Sequence, residues 1–441
     1  MAERRCGWAL VVPSFLIVAT FASKGLARLN HTCPSYIARY APLVWLHSEE
    51  PYMPSDILAH IQHTSPRLHH EAIPDLPPLD LDNLEILNEF GEEVALTSND
   101  DPTSYPAWLL GEAPDSTGLI HNSTPCVVIL VEKSDVVIDA FYFYFYSYNE
   151  GPNITQVLEP LDSLIKGKSF DNSKHYGNHV GDWEHNMIRF QDGEPIGIYY
   201  SQHRDGAAFD WDDRRISKHG DRPLTYSARG SHATYPTRGN QVHDYALIDY
   251  CDEGQIWDPV RSAYFYRLDP HTFTINPLAR PNEPSLSPPS SNLTSFFYYT
   301  GNWGDTQYPD SDPRQETVPY FGIKRFETGP NGPRYKHLIR KGLMRDTERR
   351  QSWLEWAVGI YMSLYPCCLR GWRAWVFVGL FVSLLSCSVI GVIVVVRRWR
   401  NRKNAYERVG PEDVPLEDFL LEEQGLLSAS DDSSNDTRNR E

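Results

Sequence analysis

Between Cys126 and His203 the chain alternates side chains with a period of two, and that period predicts strands rather than helices. Cys126 to Val131 and Val136 to Tyr148 are rich in β-branched and aromatic residues, with Glu132 to Asp135 as the hairpin turn between them. In the second run Phe141, Phe143 and Phe145 fall on one face and Tyr142, Tyr144, Tyr146 and Tyr148 on the other. The Phe row is expected in the core. The Tyr row suits a half-buried face under loops, or else a sugar or lipid surface. Glu184 to Phe190 and Pro195 to His203 read as strands around Asp192-Gly193, a second hairpin signal. Arg222 to Tyr235, Ile256 to Asp258 and Ser262 to Leu268 add extended pieces bounded by Gly, Pro or Asp. Helical periodicity is scarce before Lys336, so the expected fold is all-β, an antiparallel β-sandwich over residues 28–335. Pro281 to Ser291 reads as an exposed excursion. Lys336 to Tyr365 has helical potential, and Trp353, Trp356, Tyr361 and Tyr365 suit a juxtamembrane segment, residues 336–373, at a membrane surface.

The two ends change the picture. Residues 1–27 carry Arg4 and Arg5, an apolar run from Trp8 to Ala22, then Gly25 and Ala27, the layout of a secretory signal; an uncleaved anchor is the alternative. Ala374 to Val396 is free of charge and long enough to cross a bilayer, and Arg397, Arg398, Arg400, Arg402 and Lys403 follow at once. Together these predict a single-pass protein with a lumenal N-terminal region and an acidic, disordered cytosolic tail over 397–441. Asn30, Asn122, Asn153 and Asn292 each open an Asn-x-Ser/Thr triplet, the acceptor pattern for glycosylation. The formal charge is −17, yet Pro411 to Glu441 holds ten acidic and two basic residues. The folded part is therefore only mildly acidic, and with no basic stripe nucleic acid is not an expected partner. Seven cysteines are too few for a disulfide scaffold; Cys33, Cys126 and Cys251 permit a bridge in an oxidising compartment, and Cys367 and Cys368 lie near the membrane.

The densest chemistry is NHVGDWEH, Asn178 to His185. On a strand, Asp182, Glu184 and Asn186 share one face, with Ile188 and Phe190 farther along it, while Trp183, His185 and Met187 share the other. A carboxylate pair with His179 arriving from the preceding loop suits a hard or borderline ion such as Ca²⁺, Mg²⁺ or Mn²⁺. The bland reading stands beside it: Asp182 and Glu184 accept from backbone or from Arg189 and Arg204, and Trp183 is simply buried.

Five separated stretches resemble the vacuolar protein sorting-associated protein 62 family of fungi, with relatives in plants. They are YAPLVWLHSEEPYMPSDI from Tyr40, GNHVGDWEHNMIRF from Gly177, ARGSHATYPTRG from Ala228, GNWGD from Gly301 and GPNGP from Gly329. The resemblance implies a membrane-associated protein of the vacuolar trafficking route. A more distant similarity is to the necrosis-inducing proteins, secreted β-sandwiches with the heptapeptide GHRHDWE that hold a divalent ion and recognise sphingolipid sugar head groups. It implies His179, Asp182 and Glu184 as metal ligands. A further acidic ligand of that family falls nearest Asn149, beside Glu150, which removes a negative charge.

In the tail, Tyr406 to Val409 resembles a tyrosine-based sorting signal, and Glu422 to Leu427, with Leu426 and Leu427, an acidic dileucine signal that cytosolic adaptors would read. The first functional expectation is a non-enzymatic trafficking protein of the vacuolar or endosomal membrane. Its lumenal domain would bind a glycan, lipid head group or cargo through a divalent ion. The second is a metal-dependent lumenal hydrolase of glycolipids or phosphoesters, with Glu184 as general base and His179 or His232 as acid or metal ligand. Against it, Ser231 and His232 are strand neighbours outside any Gly-x-Ser-x-Gly elbow and cannot pair directly as nucleophile and base.

Overall fold

The computed structural model describes residues 32–153, 174–203, 205–243, 247–281, 293–318, 322–345, 360 and 372–406. The expected signal segment, Asn30, Asn292, Arg204, Cys367, Cys368, the aromatic residues from Trp353 to Tyr365 and the tail beyond Tyr406 lie outside these residues. The chain divides into two units, residues 1–358 and 359–441.

The first unit is built on a seven-stranded sheet in the order Thr274–Leu278, Ala263–Asp269, Cys126–Glu132, Val137–Asn149, His179–Gln191, Glu194–Gln202 and Asp205–Asp210. The hairpin at Asp192-Gly193 turns with both residues at positive φ, 53° and 82°, which matches the right-handed twist of the strands it joins. A second sheet runs Lys218–His219, Arg222–Ser227, Leu43–Leu46 and Gln255–Trp257, with Thr234–Tyr235 paired to Arg222–Ser227. The fold is thus mostly β, as the period of two predicts, but it is not wholly antiparallel. Ala263–Asp269 runs parallel to Cys126–Glu132, and Leu43–Leu46 parallel to Arg222–Ser227. Both pairs join segments far apart in sequence, and only long connections bring strands together in parallel.

Both faces of the central sheet are covered. Phe141, Phe143, Phe145, Trp183 and Met187 share a core with Ile57, Leu84, Leu96, Phe296 and Trp303. Tyr142, Tyr144 and Tyr146 face the other way, into a core with Val44, Leu46 and Trp257 of the second sheet. The Tyr row is therefore interior, and its hydroxyls are satisfied there. That of Tyr142 donates to the Ile37 carbonyl (2.7 Å) and that of Tyr144 to Asn186 Oδ1 (2.9 Å). The expected helix from Lys336 does not begin there. A single 3₁₀ turn, Pro333–Tyr335, leads into irregular chain to 345, where the buried Arg340 guanidinium donates to the carbonyls of Lys336, His337 and Leu343. Backbone that must turn its carbonyls toward one cation cannot also close a helical ladder.

The second unit contains the helix Trp372–Tyr406, whose stretch Trp375–Arg402 is long and apolar enough to cross a membrane. It overlaps the expected span, Ala374 to Val396, and continues through its basic flank.

Three of the glycine-bearing motifs meet where backbones touch. A Cβ on Gly181, which sits at φ +70°, would lie 2.0 Å from the Trp303 carbonyl oxygen; one on Gly304 would lie 1.8 Å from that of Val180. Gly329 abuts Gly304 in turn. This contact locks the start of the acidic strand against Trp303, which is fully buried among Phe145, Trp183 and Tyr299. Gly177 has a similar φ, +82°, but open space around it. Gly177→Ala should therefore cost only the left-handed backbone term, about 1 kcal/mol, whereas Gly181→Ala adds a backbone clash and should cost about 3 kcal/mol or more. Paired thermal melts of the two variants measure the difference.

Candidate functional site

The register of the central sheet sets the site. Along His179–Gln191, Asp182 stands opposite Tyr146, Glu184 opposite Tyr144 and His179 opposite Asn149. Asp182 and Glu184 lie on the Tyr face, and Ile188 and Phe190 continue that face into the apolar core, as expected. His185 points to the Phe face, against Phe143 (5.0 Å between ring centroids) and the Arg340 guanidinium (3.2 Å). It takes no part in the site.

The remaining groups come from distant segments. At Gly230 and His232 the backbone adopts positive φ, 74° and 57°, and the His232 N–H closes the turn on the Ala228 carbonyl at 2.9 Å. This places the His232 ring flat on Tyr146, 3.7 Å between centroids and 3° from parallel. Its Nδ1 is 2.9 Å from Asp182 Oδ2, and its Nε2 is 3.2 Å from the Tyr52 carbonyl and 3.6 Å from Glu50 Oε1. Both ring nitrogens face acceptors, so both carry protons and the ring is an imidazolium. Burial alone would drive that charge off, but the bonds to Asp182 and Glu50 outweigh it and raise the His232 pKa to about 10. Burial likewise opposes ionisation of Asp182, yet the His232 bond and charge hold it below the usual carboxylate range. Glu50 is fixed by two backbone donors, the N–H of Tyr52 (3.0 Å) and of Gly230 (2.8 Å).

Glu184 stands one alternation along the strand and differs from Asp182. Burial, then the Asp182 charge, raises it to about 7. Its bonding partner is the Ser201 hydroxyl, which also accepts from the His185 N–H (2.9 Å). Near the same strand ends, Asp249 accepts from Ser231 (2.9 Å), Tyr235 (2.7 Å) and His203 (2.8 Å). His179 sits half-buried at the rim. Its Nδ1–H donates to the Gly181 carbonyl (2.7 Å), and burial lowers its pKa.

Four of the five motifs singled out in the sequence thus supply this region or brace it: Glu50 and Tyr52 from the first, Asp182 and Glu184 from the second, His232 from the third, and Trp303 behind Gly181. Residues 161–250 match the family model described as vacuolar protein sorting-associated protein 62. Across 354 residues the chain is 33% identical to the putative vacuolar protein sorting-associated protein TDA6 of Saccharomyces cerevisiae, covering 73% of this chain and 70% of that one. It is 32% identical over 353 residues to the vacuolar protein sorting-associated protein 62 of the same yeast, covering 73% and 69%.

The chain belongs to the vacuolar protein sorting-associated protein 62 family.

Solved structures to which it is similar include the Necrosis and Ethylene inducing Protein 2 from the causal agent of cocoa's Witches Broom disease, at 13% identity, with 48% of this chain and 74% of that chain covered and a TM-score of 0.23. The non-toxic HaNLP3 protein follows at 11% identity, 60% and 82% coverage and a TM-score of 0.25. Overlap this loose transfers no site from those proteins to this one.

The donor set of this family member does not suit the divalent ion that the resemblance to necrosis-inducing proteins implies. Asp182 is hydrogen-bonded to His232, Glu184 accepts the Ser201 hydroxyl, and Asn149 donates its amide to the Gly177 carbonyl (3.1 Å). Among the described residues no three His, Cys, Asp or Glu side chains gather around a point as ligands would. His232 itself supplies the positive charge between the carboxylates.

The structure brings His179, Asp182, Glu184 and His232 to one region, and it places Arg189 elsewhere. Arg189 makes a bidentate pair with Asp139 (2.6 and 2.8 Å) and leaves the acidic pair to His232 and Ser201. Cys33, Cys126 and Cys251 are buried free thiols, so the permitted bridge among them is absent. Of the glycosylation triplets, Asn122 is exposed and Asn153 half-buried. Ser201 and Asp249 carry no signal in the sequence, Tyr146 appears there only as a member of the Tyr row, and Glu50 only inside a family-like stretch beside Pro51.

Two outcomes follow from these charges. Glu184 titrates at 4.5 when unfolded and about 7 when folded, so its contribution is complete below pH 4.5 and is lost as pH rises through 7. His232 loses its contribution only as pH rises from 6.5 through about 10, and Asp182, held below 3.8, does not change in the lower window. His60, His179 and His185, whose pKa values burial lowers, add an opposite trend that the wild type and Glu184→Gln share. The stability of the wild type relative to Glu184→Gln should therefore fall from pH 4.5 to 7, on the order of 3 kcal/mol, as paired melting curves would show. Elemental analysis should find equal metal content in the wild type and in the Asp182→Asn, Glu184→Gln double variant, with no change of Tm on adding chelator.

Proposed function

We propose that this chain is a single-pass membrane protein of the vacuolar protein sorting route. In this reading the β-rich first unit, a sandwich-like domain, lies in the lumen and recognises a glycan, lipid head group or protein cargo, while the cytosolic tail directs its transport. The observation that carries it is the identity to two yeast vacuolar protein sorting-associated proteins across nearly three quarters of the chain. Support for the topology comes from the apolar stretch Trp375–Arg402 and from Arg397, Arg398 and Arg400 at its C-terminal end, a basic flank of the kind that stays cytosolic. The destination is the vacuolar or endosomal membrane, read by sorting adaptors at Tyr406 and Val409 and at Glu422, Leu426 and Leu427.

Catalysis fits the buried groups of this site poorly. Glu184 has the pKa of a general acid or base, but it is 7% exposed and His232 is 0% exposed. The nearest hydroxyl, that of Ser201, is already committed on two sides. A general base has to reach the proton it removes, whereas Glu184 and His232 are buried and bonded to protein partners. The titration of Glu184 is therefore the hydrolase reading's one support, and its burial weighs against that reading.

Replacing Tyr406, Leu426 and Leu427 together with Ala should shift the protein from the vacuole to the cell surface, as read by surface labelling and fluorescence imaging in living cells. An unchanged distribution would remove the sorting role assigned to the tail.

A further inference from the structure

Within the first unit, a cavity of about 540 Å³ opens beside the strand Val94–Ser98 and the chain that follows GNWGD. Asp305, the last residue of that motif, lines it and is only 6% exposed. Its Oδ1 accepts from the Tyr308 hydroxyl at 3.0 Å, and the Ser98 N–H reaches Oδ2 at 3.5 Å, the outer limit of a hydrogen bond. Neither donor is a cation. Burial pushes the Asp305 carboxyl up to about 6, the mark of a negative charge without its counter-ion.

Of the other charges lining the cavity, Arg314 acts on Asp305 only through space, behind burial and the hydrogen bonds in size. Arg314 is bound through two nitrogens to Asp312 (2.9 and 2.6 Å) and lies flat on Tyr308 at 3.8 Å, so its charge is matched. The exposed Asp100 adds a second carboxylate, with one oxygen accepting from Trp108. Arg67 donates from Nη1 to a backbone carbonyl (3.2 Å), while its Nε is buried without a hydrogen-bond partner. A polar cavity of this size therefore presents a buried acid whose direct hydrogen-bond donors are both neutral, with the Arg67 guanidinium in its wall. Buried polar atoms left unmatched are costly and commonly mark a place that a ligand completes.

We propose that this cavity binds a small organic cation: a primary ammonium that pairs with Asp305, on a molecule whose oxygen acceptor meets the Arg67 guanidinium in the cavity wall. A bare metal ion fits less well. Among the described residues no three acidic, His or Cys side chains converge as an ion's ligands would, and about 540 Å³ matches the volume of an organic ligand site. An α-amino acid and an ethanolamine head group share this chemistry. The inference does not depend on the sorting role.

Isothermal titration of the full-length, detergent-solubilised protein with alanine, O-phosphoethanolamine and N-acetylalanine tests it. At least one of the two ammonium probes should bind, and N-acetylalanine, which lacks the ammonium, should not. Binding of alanine alone assigns a free amino acid, and binding of O-phosphoethanolamine alone assigns a head group. Asp305→Asn should weaken the bound probe at least about tenfold, the scale of one lost charge-assisted bond. Arg67→Gln and Asp100→Asn, both nearer the surface, should weaken it several-fold and serve if Asp305→Asn fails to fold. Failure of both ammonium probes, equal binding of N-acetylalanine, or wild-type affinity in these variants would overturn the proposal.

Discussion

The bond between the His232 imidazolium and Asp182 is the contact on which the rest of the site depends. Asp182 belongs to the central sheet, His232 to the turn that follows the second sheet's strand Arg222–Ser227, and Glu50 to the chain leaving Leu43–Leu46. One ring therefore ties three segments that are remote in sequence, with Tyr146 beneath it as a flat floor. Taking such charges out of water is expensive, and the attraction between them repays it only when every proton and lone pair is matched. Here the two N–H groups of the ring meet Asp182, Glu50 and the Tyr52 carbonyl, and Glu50 is in turn held by two backbone amides. A half-made version of this arrangement would leave a buried charge exposed to apolar surroundings. The observed register of the two sheets is the one that matches these charges.

That dependence explains why some of the structure was legible in the sequence and some was not. The alternation in Val137–Asn149 and His179–Gln191 is a local property, and it correctly divided Phe from Tyr and Asp182 and Glu184 from Trp183. The Asp192-Gly193 hairpin was legible for the same reason, since two residues carry the whole signal. What alternation cannot say is what lies on the far side of a face. The Tyr row could have met solvent, loops or another sheet, and the deciding strands, Leu43–Leu46 and Gln255–Trp257, are about a hundred residues away on either side. The parallel pairs escaped prediction on the same ground.

The partners of the acidic pair were illegible for a related reason. Arg189 and Arg204 were near in sequence and suggested themselves, yet Arg189 sits on the opposite pleat from Glu184 and finds Asp139 directly across the ladder. His232 looked like a strand residue beside Ser231. Its left-handed backbone instead separates the two, sending Ser231 to Asp249 and His232 to Asp182. A positive φ at a residue other than glycine has a small local signature and a large structural effect.

His179, Asp182 and Glu184 keep the residue types that suggest a metal ion, but the environment divides their roles. Asp182 is ionised because a cation touches it, and Glu184, one alternation away, is pushed toward neutrality because Asp182 is already charged. Two carboxylates that close cannot both stay ionised in a dry site without a second positive charge. A divalent ion would provide two, whereas one imidazolium provides one, and the protonation of Glu184 makes up the difference. Lower pH favours the protonated Glu184 and leaves the bond between His232 and Asp182 unchanged.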